Sequence, residues 1–191
     1  MKKVNIKMLI LTAMFAALTA VGAFIQVPLG FTSITLQVFF TCMAGVILGP
    51  KYGTLSQVVY VLLGLVGLPI FTQGGGFGYL VKPSMGFLFG LIPMALVVGL
   101  MTRRMNMNNV VMWYVRIFAA FLVGEVVLYA IGTPYMGVVL NSVLGKGMSA
   151  WAVFKAGCLI YLPGDLVKLV LAALICFPLN KALLKAGLLE P

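Results

Sequence analysis

CLIYLPGDLVKLVLAALICFPL, residues 158–179, is an apolar run long enough to cross a bilayer, yet it contains an aspartate and a lysine, Asp165 and Lys168. A membrane helix needs about 20 mostly apolar residues, and a charge near its middle costs roughly 2.5 to 3.5 kcal/mol on insertion scales. A charged pair retained there is a functional-site candidate by default. Asp165 and Lys168 are three positions apart with the acid first, so on a helix they share a face in the favourable order for an ion pair. Leu162-Pro163-Gly164 marks a helix start or break and places Asp165 near a positive dipole end. The plain alternative is an ion pair that only closes a bundle.

The rest of the chain fits a membrane protein. Of 191 residues, 63% are hydrophobic and only 8% charged, with a mean hydropathy of +1.17; soluble domains carry about a quarter charged residues. The pattern predicts an all-α fold, a six-transmembrane-helix bundle in a single integral membrane substrate-binding domain over residues 1–191. The spans fall at Ile6 to Val27, Ile34 to Leu48, Tyr52 to Leu68, Pro83 to Met101, Val110 to Ile131 and Cys158 to Leu179. The second is short and needs the flanking Thr32 to Thr35 turn or shelter from neighbouring helices. Lys2, Lys3 and Lys7 followed by Met8 to Gly22 imitate a signal peptide, but the apolar segment continues to Val27, too long for that role.

Charge sets the expected orientation. Lys2, Lys3, Lys7, Lys51, Arg103, Arg104, Arg116, Lys181 and Lys185 fall on one side of the six spans, and Lys82, Lys146 and Lys155 on the other. The positive-inside rule makes both termini cytoplasmic. It also accounts for most of the net charge of +10 without a nucleic-acid partner, and directs Asp165 and Lys168 outward. Gly49-Pro50-Lys51 reads as a tight cytoplasmic turn. Two outer connections are long: glycine-rich Pro69 to Lys82, with interleaved aromatics, and semi-polar Gly132 to Gly157, too weakly apolar to span. Long ordered loops are usually lids or binding elements. Glycines such as Gly75 let backbone approach a ligand closely, and aromatics supply a flat apolar wall.

Other residues narrow the chemistry. Glu125, in the fifth span, could join the site, neutralise Lys168, or serve as a bundle-facing carboxylate alone. Ala13 and Ala17, like Ala16 and Ala20, form small rows four apart that let another helix pack closely, within the bundle or in another subunit. Cys42, Cys158 and Cys176 lie in apolar runs without metal or redox spacing. With no histidine in the chain, His-based triads and H-E-x-x-H zinc sites are excluded, and no phosphate loop is present. The expectation is a binding or transport subunit without its own ATPase, holding no metal and no cofactor.

Several motifs in order resemble one family: Ala13 to Ala17; Thr35-Leu36-Gln37; Leu48-Gly49-Pro50; Gly64-Leu65-Val66-Gly67-Leu68-Pro69-Ile70-Phe71; the glycine-rich loop; and Leu162-Pro163-Gly164-Asp165-Leu166-Val167-Lys168. Together they resemble the BioY-type biotin-binding subunits of energy-coupling factor (ECF) transporters over nearly the whole chain. The resemblance implies an S component in the bacterial cell membrane that captures biotin from outside. It also implies a transmembrane coupling subunit, docked on Ala13 and Ala17, and two ATPase subunits. Where the family commonly shows G-P-T-G-G-Y, this chain has Lys82-Pro83-Ser84-Met85-Gly86-Phe87.

Biotin offers two ureido N–H donors, a ureido carbonyl, an apolar bicycle and a carboxylate. Asp165 could accept a ureido N–H, and Lys168 could donate to the ureido oxygen or attract the carboxylate. Gln37, Thr35 or Asn141 could complete the polar set, with Phe71, Phe77, Tyr79 and Tyr135 as candidate walls. A different vitamin (riboflavin, thiamine or a lipoate-like acid) and a proton-coupled secondary carrier using Glu125 and Asp165 stay open on the residues alone.

Overall fold

The computed structural model describes residues 5–103, 105 and 109–189; Lys2, Lys3 and Arg104, which entered the charge reading, lie outside them. Helix α1, Ile6–Phe24, starts at Asn5, whose side chain accepts from the Met8 amide at 3.3 Å. It stops three residues short of the expected Val27. The chain then forms a small antiparallel hairpin of β1, Gln26–Leu29, and β2, Thr32–Thr35, with Gln26 opposite Thr35 and Leu29 opposite Thr32. Gly30 takes the left-handed backbone (φ 64°) that the turn requires. The expected turn at Thr32 to Thr35 is therefore a strand, and the fold is helical with one strand pair.

Helix α2, Gln37–Val66, is folded back on itself at Gly49, whose φ of 71° is non-helical and precedes Pro50, which has no amide to donate. Its two legs pack backbone to backbone. A Cβ on Gly53 would stand 2.7 Å from the Ala44 carbonyl oxygen, and Gln37 Nε2 donates across the legs to Tyr60 Oη at 2.7 Å. Helix α3, Met85–Thr102, closes over this bend, where a Cβ on Gly99 would stand 2.5 Å from the Pro50 nitrogen. Glycine here is a packing requirement, because any side chain would separate the helices.

Helix α4 runs Val110–Val138 and continues through a wider turn, Val139–Val143. A short α5, Ala150–Phe154, leads through a similar turn, Lys155–Leu159, into α6, Leu162–Lys185. Most of the expected loop Gly132 to Gly157 is thus helix; only the stretch from Leu144 to Ser149 is not. Low apolar content argued against a span, but Thr133, Tyr135 and Met136 are compatible with helix and pack inward or against neighbours, so the helix extends past the apolar segment. Pro163 sits in the first turn of α6, as a helix start requires.

Among the described residues, five helices are long and apolar enough to cross a membrane, the folded α2 counting as one. Large apolar side chains such as Val66, Val111, Val126 and Val167 are exposed around the bundle. In water such a surface would drive association; against lipid it is the ordinary exterior.

Candidate functional site

At the hairpin end of the bundle, strand β2, the Pro69 to Lys82 connection and helices α2, α3, α4 and α6 enclose a cavity of about 70 Å³, room for several waters. One wall carries the charged pair. Asp165 and Lys168 are 5% and 6% exposed and form an ion pair. The second Asp165 carboxylate oxygen accepts from the Tyr129 hydroxyl, and Lys168 Nζ donates to the Thr35 carbonyl at 2.8 Å. Both charges are therefore partnered as burial demands, and they tie α4, α6 and β2 together.

Hydroxyls and amides line the rim. Tyr161 Oη donates to the Leu29 carbonyl at 2.7 Å and accepts from Thr32 Oγ1 at 2.6 Å, so α6 grips the hairpin beside Lys168. Thr35 Oγ1 donates to Gln37 Oε1 at 2.9 Å, and Tyr60 Oη passes the chain on to the Ile70 carbonyl at 3.0 Å. On the loop side the hydroxyls of Thr72 and Tyr79 are 2.8 Å apart, and Ser84 Oγ donates to Tyr79 at 3.1 Å. Val38, Phe87, Leu88, Leu91 and Leu128 supply the apolar lining. The arrangement suits a compact ligand with an apolar body and several hydrogen-bonding groups.

The structure brings Asp165, Lys168, Thr35, Gln37 and Tyr79 to this cavity. Phe71 stands behind the wall, fully buried, its ring 4.7 Å from that of Tyr79 and 5.5 Å from that of Tyr60. Gly75 packs on the backbone of Leu68 and Gly64, which leaves no space for a side chain. Tyr135 donates to the Leu80 carbonyl at 2.6 Å and packs on Phe89, away from the cavity. Asn141 is clamped to the backbone of Met148 by two bonds, 2.7 and 2.9 Å, and holds the α4–α5 connection. Phe77 is 71% exposed. Ala13 and Ala17 both lie on the exposed face of α1, whereas Ala16 is buried.

Tyr129, Tyr161, Thr32, Thr72, Ser84 and Phe87 also border the cavity, although nothing in the sequence directly marks them as ligand contacts. Tyr129 had one available signal: it is one helical turn from Glu125, on the same face of an apolar span. Tyr161 had another in its place just before the proline that starts α6.

Fold and site define a multi-pass helical membrane protein with a buried, charged ligand cavity at one end. The chain belongs to the BioY family, whose family model matches residues 1–185. It is 42% identical over 173 residues to a probable biotin transporter BioY of Lysinibacillus sphaericus, covering 91% of this chain and 86% of that protein. It is 41% identical over 176 residues to the biotin transporter BioY of Thermotoga maritima, covering 92% and 96%. Among solved structures it resembles the crystal structure of the S-component for biotin from an ECF-type ABC transporter, with a TM-score of 0.80 at 25% identity over 92% of each chain.

Proposed function

We propose that this chain captures biotin as the substrate-specific membrane subunit of an ECF-type transporter. The observation that carries the reading is the buried Asp165–Lys168 pair on the cavity wall of a chain so similar to biotin transporters. Asp165 accepts a ureido N–H, and Lys168 donates to the ureido oxygen or pairs with the carboxylate. Tyr129, Thr35 and Gln37 complete the polar contacts, and Phe87, Leu88 and Leu91 face the apolar bicycle. A vitamin with another donor pattern would leave one of these groups buried and unpaired, at about 1 to 3 kcal/mol each.

The working topology is six crossings with both termini cytoplasmic. Support comes from the fold-back at Gly49, which lets α2 cross twice, and from Lys7, Lys51, Arg103, Arg116 and Lys181 falling on one side of that count. The cavity then opens outward. ATP is hydrolysed by two separate ATPase subunits, and a coupling subunit docks on the exposed Ala13–Ala17 face of α1.

Titration calorimetry in detergent tests the ligand, with wild type expected to bind biotin at submicromolar Kd. Lys168→Met and Asp165→Asn should each weaken it about 10- to 100-fold, the size expected when a charged hydrogen-bond partner is lost. Unchanged affinity in both variants would sink the site. A thermal-shift screen against riboflavin, thiamine and lipoate checks the vitamin, since a bound ligand stabilises by mass action.

A further inference from the structure

Glu125 is the buried ionisable group for which the site as described has no use. It is 4% exposed, and among the described residues neither carboxyl oxygen has a hydrogen-bond partner. A carboxylate left so is costly and is rarely kept without a task. Its position is set by register. Tyr129, four residues on along α4, touches Asp165. Because α4 and α6 run in opposite directions, stepping one turn down α4 to Glu125 corresponds to stepping one turn along α6 from Asp165 to Lys168. Glu125 therefore lies level with the lysine, just under the cavity floor, and the charges of both Lys168 and Asp165 act on it. Cys42, Met94, Leu169 and Ala172 are buried in the same bundle.

The second observation is saturation of Asp165. One carboxylate oxygen is held by Lys168 and the other by Tyr129. A ligand N–H that claims Asp165 competes with one of these bonds. If the lysine yields, its ammonium keeps the Thr35 carbonyl but loses its counter-charge, and Glu125 is the carboxyl group level with it.

We propose that Glu125 is the second counter-ion of Lys168: ligand binding at Asp165 moves the ammonium toward Glu125, and the two carboxylates exchange the lysine between the empty and the loaded site. Glu125 is thus a positioning residue that keeps Asp165 available to the ligand. The inference rests on the reading of Asp165 as a ligand acceptor and goes beyond it by naming the group that releases it. It also gives the two buried carboxylates separate tasks, one facing the ligand and one facing the lysine.

The chain has two glutamates, Glu125 and Glu190, and one aspartate, so isotope labelling assigns carboxyl signals almost by residue. Biotin added to full-length protein carrying carboxyl-13C-glutamate should give an infrared difference spectrum with an isotope-shifted glutamate band, lost in Glu125→Gln and kept in Glu190→Gln. Glu125→Gln should raise the biotin Kd about tenfold, within the range of coupling between contacting charged groups. Glu125→Asp should recover most of that loss. A spectrum without a glutamate band, or a band lost only in Glu190→Gln, overturns the exchange. So does an unchanged Kd in a folded Glu125→Gln. If that variant fails to fold, a wild-type glutamate band that persists in Glu190→Gln decides the matter, and a wild type that does not bind biotin defeats the earlier reading instead.

Discussion

Two buried polar clusters lie in this bundle, and they are built on opposite plans. Between α1 and the two legs of α2, Gln57 accepts from Thr41 at 3.0 Å and donates to Thr19 at 3.2 Å and to Ser56 at 3.0 Å, while Thr19 and Ser56 close on backbone carbonyls. All four side chains are fully buried and uncharged. The cluster about Asp165 has three ionisable side chains, a cavity, and a glutamate that meets no hydrogen-bond partner among the described residues. A polar cluster that balances its donors and acceptors within itself holds helices together. One that carries an excess, next to open space, has capacity left for a visitor.

That contrast can be broken by substitution. The largest effect is expected for Asp165→Leu, which strands a buried lysine: about 3 to 5 kcal/mol of stability and all measurable biotin binding should be lost, as read by thermal unfolding and calorimetry. Next, Gln57→Leu leaves Thr41 without its acceptor and should cost about 1 to 3 kcal/mol of stability while biotin Kd stays within about twofold; a large loss of affinity would erase the distinction between the clusters. Tyr129→Phe removes a hydrogen bond to a charged group and should weaken biotin about tenfold, with a fall in melting temperature smaller than that of Asp165→Leu. The smallest effect on binding belongs to Gly49→Ala, outside both clusters. Its backbone, φ 71° and ψ −176°, is one that only glycine adopts readily, so a Cβ should cost about 1 to 3 kcal/mol of stability, with binding unaffected; a shift in Kd there would mean that the bend communicates with the cavity.

The parts of the molecule legible in the sequence are those where a residue type violates its surroundings. Asp165 and Lys168 stand out because charge is rare in an apolar run, and Gly49-Pro50 stands out because the pair cannot continue a helix. The hairpin was unread because Gln26 to Leu29 continues the apolar content of α1; its signal was the glycine turn between two short alternating stretches, at Gly30. Tyr129 and Tyr161 were unread because tyrosine is unremarkable in a membrane span until its hydroxyl is seen to meet a partner. Asn141 and Tyr135 look like site residues by type, and only packing reveals that their polar atoms are already committed to Met148 and Leu80. The length of α4 was misread because apolar content measures where lipid is, whereas a helix ends only where capping or a breaker ends it.

The bond from Lys168 to the Thr35 carbonyl leaves the ammonium one donor to give. An ammonium has three N–H groups; one is spent on Thr35 and another on Asp165, so a ligand meets a single proton whose direction the chain has already fixed. An acceptor off that line gains little, because turning the ammonium toward it would break a bond the protein already holds. Discrimination is sharpened by an occupant that never leaves the chain.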